Sequence, residues 1–311
     1  MSDNVIETRG LTMDFKSVRA LDGLSITVPS GVVFGFLGPN GAGKTTTLRL
    51  LLGLLEPSGG EAAVLGHNIR SESDTIRSLS GALLEHNGLY ERLNAWDNLD
   101  FYGRIWHMGK RQRHERIEEL LTHFGLWDRR HESLSGWSRG MRQKCAVARV
   151  LLHRPRLVFL DEPTAGLDPV ASASLRTDIA NLAQQDGATV FLTTHNLVEA
   201  EKLCALVGVI RNGRLIALGH PDELRMNASR TSVEITGSGF TDTIVAEIED
   251  RPEVTGITRV DSGLLIGLDG ESPAAPLVSL LVNRGALVEE VHRKTPSLED
   301  AFLKLMEEES A

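Results

Sequence analysis

The spacing of apolar residues changes period several times along the chain, and each change marks an element. Residues 5–37 carry short β-type runs, with turn signals at Gly10, Asp22-Gly23 and Pro29-Ser30-Gly31. The last of these runs, Val32 to Leu37, is apolar and of β type. Leu48, Leu51, Leu52 and Leu55 then recur at helical spacing until Glu56-Pro57-Ser58-Gly59-Gly60 stops the helix. Ala62 to Leu65 and Gly81 to Leu84 read as short strands, with a polar stretch through Arg77 between them. From Asn94 to about Arg130 the pattern is helical: Asn94 is the cap, Asp97 follows three residues later, and Trp96, Leu99, Ile105 and Trp106 supply apolar positions.

Between Ser138 and Val190 helix and strand alternate: a helix to about His153, a strand Leu157 to Leu160, a helix across 170–186, and a strand Thr189 to Leu192. Fully apolar strands between helices imply a parallel sheet covered on both faces. Ile210 to Ile216 reads as a hairpin around Asn212-Gly213. Gly219-His220-Pro221-Asp222 marks a boundary. Beyond it the order is strand Ser232 to Thr236, helix Asp242 to Glu249, strands near 255–260 and 264–268, helix Pro273 to Asn283 and strand Leu287 to His292. That β-α-β-β-α-β order is ferredoxin-like, and a final helix, Ser297 to Glu308, follows it. The expectation is an α/β domain over residues 1–220, with a helical subdomain at about 86–153, and a small α+β domain over 221–311.

At 311 residues the chain is too long for one small core, in keeping with two domains. A formal charge of −9 argues against nucleic acid, so no nucleic-acid partner is expected. No run approaches the ~18 uninterrupted apolar residues of a membrane span. The richest, Leu48 to Leu55, is broken by Arg49 and Gly53. Met1 to Glu7 lacks the basic and apolar regions of a signal peptide, so a cytosolic polypeptide is expected. Cys145 and Cys204 sit in apolar helical contexts and read as buried free thiols. His107, His114, His123 and His131 occupy a polar, Arg-rich stretch without metal-ligand spacing and read as solvated helix faces.

The chemistry is concentrated in two motifs. Gly38-Pro39-Asn40-Gly41-Ala42-Gly43-Lys44-Thr45-Thr46 matches G-x-x-x-x-G-K-[ST], between the Val32–Leu37 strand and the leucine-rich helix. Its glycines let backbone N–H groups wrap phosphate oxygens, and the helix N-terminus adds a dipole that favours anions. Lys44 is placed to reach β- and γ-phosphates, and the Thr45 hydroxyl to reach Mg²⁺. The second motif, Asp161-Glu162-Pro163-Thr164, ends a buried strand, where parallel sheets bind ligands. Asp161 is placed to hold Mg²⁺ and Glu162 to polarise an attacking water.

With Ala165-Gly166-Leu167-Asp168 and Thr193-Thr194-His195 after them, these motifs make roughly residues 3–220 resemble the nucleotide-binding subunits of ATP-binding cassette (ABC) transporters. The resemblance implies a P-loop NTPase core with N-terminal antiparallel strands and a helical subdomain. ATP and Mg²⁺ are the implied cofactors, and Lys44, Glu162 and His195 the implied catalytic residues. Asp168 falls in the nucleotide-contacting D-loop, Phe15 at the adenine-stacking position, and His195 at the switch histidine that contacts γ-phosphate. Two serines compete for the ABC signature. Leu134-Ser135-Gly136 looks closer to the family's Leu-Ser-Gly-Gly-Gln, but the family usually sets the signature serine 23 positions before the Mg-binding aspartate, the spacing of Ser138 from Asp161. Trp137 to Met141 is therefore the expected signature, with the Ser138 hydroxyl and Gly140 N–H facing γ-phosphate and Arg139 in place of the commoner glycine.

Glu85 stands where the family typically has the Q-loop glutamine that senses γ-phosphate and Mg²⁺. A carboxylate there can take a Mg-bound water but repels phosphate. The segment Glu85 to Tyr90 leads into the helical insert, where ABC transporters receive a coupling helix, and Trp96, Tyr102 and Trp106 are candidates to line that groove. The resemblance implies integral membrane permease subunits as partners, a second copy or homologous ATPase subunit, and a position on the cytoplasmic face of the membrane. Pro296 to Leu303 resembles the ending of daunorubicin-type exporter ATPases, so an exporter ATPase is expected. The alternatives are a methionine-type importer ATPase and a soluble ABC ATPase outside transport.

Overall fold

The computed structural model describes residues 4–185, 187–228, 232–260, 262–269, 272–294 and 297–308. The chain divides into two compact units, Met1–His220 and Pro221–Ala311.

The first unit opens with β1 (Asn4–Phe15), β2 (Val18–Leu24) and β3 (Thr27–Pro29), passes through β4 (Val33–Leu37) and α1 (Lys44–Leu51), and continues in β5 (Gly59–Val64) and β6 (His67–Asn68). Strands β2-β1-β5-β6 form an antiparallel sheet to which β3 adds beside β1. Helix α2 (Ser73–Leu79) and β7 (Ser80–Leu83) lead to a helical stretch of α3 (Ala95–Ile105), α4 (Lys110–His123) and α5 (Arg139–Leu151). The chain then alternates β8 (Leu157–Asp161), α6 (Pro169–Gln185), β9 (Thr189–Thr194), α7 (Leu197–Leu203), β10 (Leu206–Arg211) and β11 (Arg214–Gly219).

The second sheet has the order β11-β10-β4-β9-β8-β7, parallel throughout except for the β10–β11 hairpin. Strands β4, β8 and β9 are buried at every residue, as a parallel sheet with two covered faces requires. Phe191 sits at their centre, its ring centroid 4.9 Å from Phe34, 5.6 Å from Phe36 and 5.8 Å from Phe159. Because the strands run in one direction, their C-terminal ends share one edge. The loops after β4, β7, β8 and β9 carry Gly38–Thr46, Glu85, Glu162 and His195 to that edge.

Several boundaries differ from the pattern-based expectation. Strand β1 runs straight through Gly10, which takes φ 57° at a register shift against β5, and Asp22-Gly23 lies inside β2. The turn between β1 and β2 is at Lys16-Ser17, where Lys16 adopts φ 50°. Helix α1 stops at Leu51 rather than at Glu56: Gly53 turns left-handed at φ 62°, and the Gly53 and Leu54 amides bond the Leu50 and Arg49 carbonyls. Helix α2 occupies the stretch expected to be merely polar. It buries only Ile76, too little to leave a periodic signal.

The second unit begins with α8 (Pro221–Ala228), followed by β12 (Ser232–Ser238), α9 (Asp242–Glu249), β13 (Val254–Val260), β14 (Gly263–Leu268), α10 (Ala275–Asn283), β15 (Leu287–Lys294) and α11 (Leu298–Glu308). Its antiparallel sheet has the order β13-β14-β12-β15, the ferredoxin-like arrangement. Alternate strand residues Val233, Ile235, Leu264, Ile266 and Leu268 meet Ile244, Ile248, Leu277 and Leu281 of α9 and α10 in a core of their own. Of the run Pro296 to Leu303, Pro296 lies outside the described residues, and Leu298 and Ala301 are buried. Among the described residues no helix is long and apolar enough to cross a membrane.

Candidate nucleotide site

The loop after β4 is shaped by positions that exclude a side chain. A Cβ on Gly38 would lie 2.3 Å from the Ile210 carbonyl oxygen, and one on Gly43, at φ 109°, 2.7 Å from that of Ala20. Lys44 opens α1 and is 6% exposed. Its Nζ donates to the carbonyls of Gly38 at 2.7 Å and Pro39 at 3.1 Å, and lies 3.3 Å from Glu162 Oε1. A buried ammonium needs such partners. Asn40, Gly41, Gly43, Thr45 and Thr46, with Lys44 and Glu162, line a cavity of about 180 Å³, while Ala42 is buried.

The strand ends interlock with this loop. Thr45 Oγ1 donates to Asp161 Oδ2 at 2.7 Å, and Thr193 Oγ1 donates to the other Asp161 oxygen at 2.5 Å. The Glu162 amide donates to both the carbonyl and the hydroxyl of Thr193, each at 3.1 Å. Glu162 itself sits at φ 49°, a left-handed conformation that costs a non-glycine residue about 1 kcal/mol or more and is retained where the surroundings impose it. Across the mouth, His195 Nδ1 lies 2.5 Å from Glu162 Oε2. A larger cavity of about 540 Å³ is lined by Thr45, Glu85, Asp161 and Glu162 together with Arg139, Arg142 and Gln143.

The remaining expected residues are not drawn into this cluster. Ser138, Gly140, Asp168 and Phe15 line neither cavity. Ser138 is the N-cap of α5 and accepts from the Met141 amide at 3.2 Å, whereas Ser135 lies in a short 3₁₀ turn and meets Ser133 Oγ at 2.9 Å. The Arg139 guanidinium lies against Gly166, where it fills the space a Cβ would take. Asp168 accepts from the Ala171 amide at 2.9 Å at the start of α6. Phe15, at the end of β1, is 42% exposed. Glu85 lies 3.2 Å from Arg49 of α1, and both side chains are solvent-accessible.

Sequence reading assigned no contact at the site to four contributors: Arg49, Thr193, Gln143 and Glu199. Gln143 donates to the Pro163 carbonyl at 2.7 Å. Glu199, 1% exposed in the first turn of α7, accepts from Thr164 Oγ1 at 2.8 Å and Thr194 Oγ1 at 3.0 Å through one oxygen. Its other oxygen has no hydrogen-bond partner among the described residues, an arrangement that costs about 1–3 kcal/mol. A glutamate in a polar-looking helix start gives no sequence signal of burial.

Two other expectations need correction or refinement, and that of the cysteines is met. His107 lies in the turn after α3 at φ 53°, not on a helix face, and half-buried His114 stands edge-on to Trp96, 5.0 Å between centroids. Trp96 packs inside the helical stretch with Trp127, away from the groove beside Gly88. Trp106 does line that groove, stacked on His153 at 3.8 Å, and the Tyr102 hydroxyl donates to the Gly88 carbonyl. Cys145 and Cys204 are buried free thiols; burial pushes Cys145 up to about 12 and Cys204 higher still, so neither is a nucleophile at neutral pH.

A glycine-cradled lysine and a hydroxyl–aspartate pair, with a carboxylate beside a histidine, all at one edge of a parallel sheet, define a P-loop ATPase. Comparison with known proteins gives the particular family. Residues 21–165 match the ABC transporter family, and residues 219–306 match the C-terminal domain of DrrA1-3-like ATP-binding proteins. The daunorubicin resistance ATP-binding protein DrrA3 of Streptomyces coeruleorubidus is 37% identical over 98% of this chain and 96% of its own. The bacitracin transport ATP-binding protein BcrA of Bacillus licheniformis is 36% identical over 97% of each. A solved ATP-binding subunit of an ABC transporter aligns at a TM-score of 0.64 and 31% identity, over 72% of this chain and 92% of that one. The chain belongs to the ATP-binding subunits of ABC transporters and is an ATPase of that family.

Proposed function

We propose that this chain hydrolyses MgATP to drive substrate export through separate permease subunits, acting as one of a pair of ATPase subunits on the cytoplasmic face of the membrane. The observation that carries this reading is the interlocked set Lys44, Thr45, Asp161, Glu162 and His195 at the sheet edge. The names of the relatives, daunorubicin resistance and bacitracin transport, favour export over import.

In this reading Lys44 exchanges the Gly38 and Pro39 carbonyls for β- and γ-phosphate oxygens, while the loop amides of Asn40 to Thr46 hold the phosphate chain. Glu162 then loses its Lys44 partner and is free to take the proton of the attacking water, with His195 on the γ-phosphate. The Thr45 hydroxyl and Asp161 carboxylate, 2.7 Å apart, are hard oxygen donors suited to Mg²⁺, with Glu85 on the wall of the same cavity. When bound, that ion neutralises charge on the phosphates. Phe15 stacks on adenine. Ser138 and Gly140, at the N-terminus of α5, and Asp168 serve the site of the paired subunit. Residues 1–220 form the catalytic domain and 221–311 the domain that pairs or regulates it.

Deleting the gene, restoring it intact or as Lys44→Ala, and measuring retention of fluorescent amphiphilic drugs tests the proposal. Restored efflux with the intact gene alone, and co-purification of a membrane protein with the tagged chain, are expected. ATP-dependent uptake instead of efflux, or absence of any membrane partner, would overturn it.

A further inference from the structure

Two loops carry the hydrolytic groups proposed above: the one leaving β8 holds Glu162, and the one leaving β9 holds His195. Besides the bonds from the Glu162 amide to Thr193, side chains tie them together twice. The outer tie is the exposed His195–Glu162 contact, which must open if His195 is to touch phosphate. The inner tie is buried: Glu199 Oε2 accepts from Thr164, two residues past Glu162, and from Thr194, immediately before His195. The base of this tie is fixed in turn, because Asn196 caps α7 by accepting from the Glu199 amide at 3.1 Å, and the Asn196 amide donates to Thr194 Oγ1 at 3.0 Å. A carboxylate 1% exposed, with one oxygen lacking a partner among the described residues, is a poor way to stabilise a core. It is a good way to fix the spacing of two loops.

We propose that Glu199 is a positioning residue for ATP hydrolysis: through Thr164 and Thr194 it holds Glu162 and His195 at a working separation after nucleotide has opened their direct contact. Glu199 touches neither cavity, so its effect should fall on turnover and leave nucleotide affinity to the phosphate loop. The inference rests on the ATPase reading above, so its test includes Glu162→Gln as reference.

The full-length chain is purified as wild type, Glu199→Ala, Glu199→Gln, Thr164→Val and Thr164→Ser, and each is measured for ATP turnover, KM, affinity for a fluorescent ATP analogue and melting temperature. Glu199→Ala is expected to lower kcat about tenfold or more while KM and analogue affinity change less than about twofold. Glu199→Gln, whose amide oxygen still accepts both hydroxyls, should recover most of the rate. Thr164→Val should lose several-fold in kcat and Thr164→Ser should not; this pair carries the test alone if Glu199→Ala fails to fold. An unchanged kcat in folded Glu199→Ala, or in Thr164→Val, would overturn the proposal. So would a fall in kcat matched by an equal loss of analogue affinity. If Glu162→Gln turns over normally, the assignment of Glu162 as the base fails instead, and the two failures are told apart.

Discussion

The two sets of residues that the family resemblance assigns to nucleotide are held in opposite ways. Thr45 meets Asp161 at 2.7 Å and Lys44 meets Glu162 at 3.3 Å, two side-chain pairs set by the parallel strands that end beneath them. Ser138, Gly140 and Asp168 line neither of the two cavities beside that cluster, and two of them spend their side chains capping the helices they begin. The first set is finished by folding one chain. In the second, Ser138 and Asp168 are exposed, in keeping with the proposal that this set serves a paired subunit. In the first set Lys44 and His195 both rest on Glu162, and in the proposed reaction substrate displaces them before the carboxylate works.

The sharpest break of this comparison is Glu162→Gln. Removing the charge takes away the general base but leaves Lys44, Thr45 and Asp161 to hold nucleotide, so turnover should fall by about 10²–10⁴ with ATP affinity near wild type. An ATP-dependent dimer should then accumulate in size-exclusion chromatography. Near-normal steady-state hydrolysis would remove Glu162 from its proposed role.

The outward set is tested by a pair of serines three residues apart. Ser138→Ala deletes a helix N-cap and a donor proposed to serve the paired subunit, so it should lower the melting temperature by an amount equivalent to about 1 kcal/mol and cut turnover roughly tenfold or more. Ser135→Ala removes a hydroxyl that meets Ser133 Oγ and should change either quantity little. The two effects of Ser138→Ala separate by their readouts: cap loss appears in thermal melting of the monomer, and contact loss in ATP-driven dimerisation. A larger turnover defect in Ser135→Ala would move the signature by three residues.

The inward set was also the more legible in sequence, for a physical reason. Phosphate loops and strand-end carboxylates are local motifs, and the apolar runs beside them announce parallel strands without reference to distant residues. The ferredoxin-like order of the second unit was readable on the same ground, since its strands alternate cleanly. What stayed hidden depends on contacts between distant segments. Arg49 is just a break in a leucine-rich helix until the fold brings Glu85 next to it. Glu199 looks like a solvated first-turn acid until two hydroxyls from separate strand ends close over it. Short helices such as α2 and α7 failed to register because seven residues with one or two buried positions carry too little periodicity.

Glu85 lies between the two sets, and its pairing sharpens the comparison at smaller amplitude. An exposed ion pair contributes about 0–1 kcal/mol, so the role proposed for the Arg49–Glu85 contact is to keep a carboxylate neutralised near phosphate. Arg49→Ala should raise KM for ATP a few-fold, more at low salt than at high. Glu85→Gln removes the repulsion at source, so Arg49→Ala in that background should be nearly silent. Equal effects of Arg49→Ala in both backgrounds would mean that Arg49 acts by some other route.

The smallest expected change tests whether both sets belong wholly to the first unit. Every residue assigned above to nucleotide lies before Gly219, and the second unit buries its own core of Val233, Ile235, Leu264 and Ile266 against α9 and α10. A chain ended near Asp222 should therefore fold and bind the ATP analogue within about twofold of full length, because neither the caged cluster nor the capped helices lose a partner that has been assigned to them. Drug efflux in cells should fall, since the missing unit is proposed to pair or regulate the ATPases. Loss of folding together with analogue binding would mean that the second unit completes the first rather than acting on it. Unchanged efflux would leave residues 221–311 without a part in coupling.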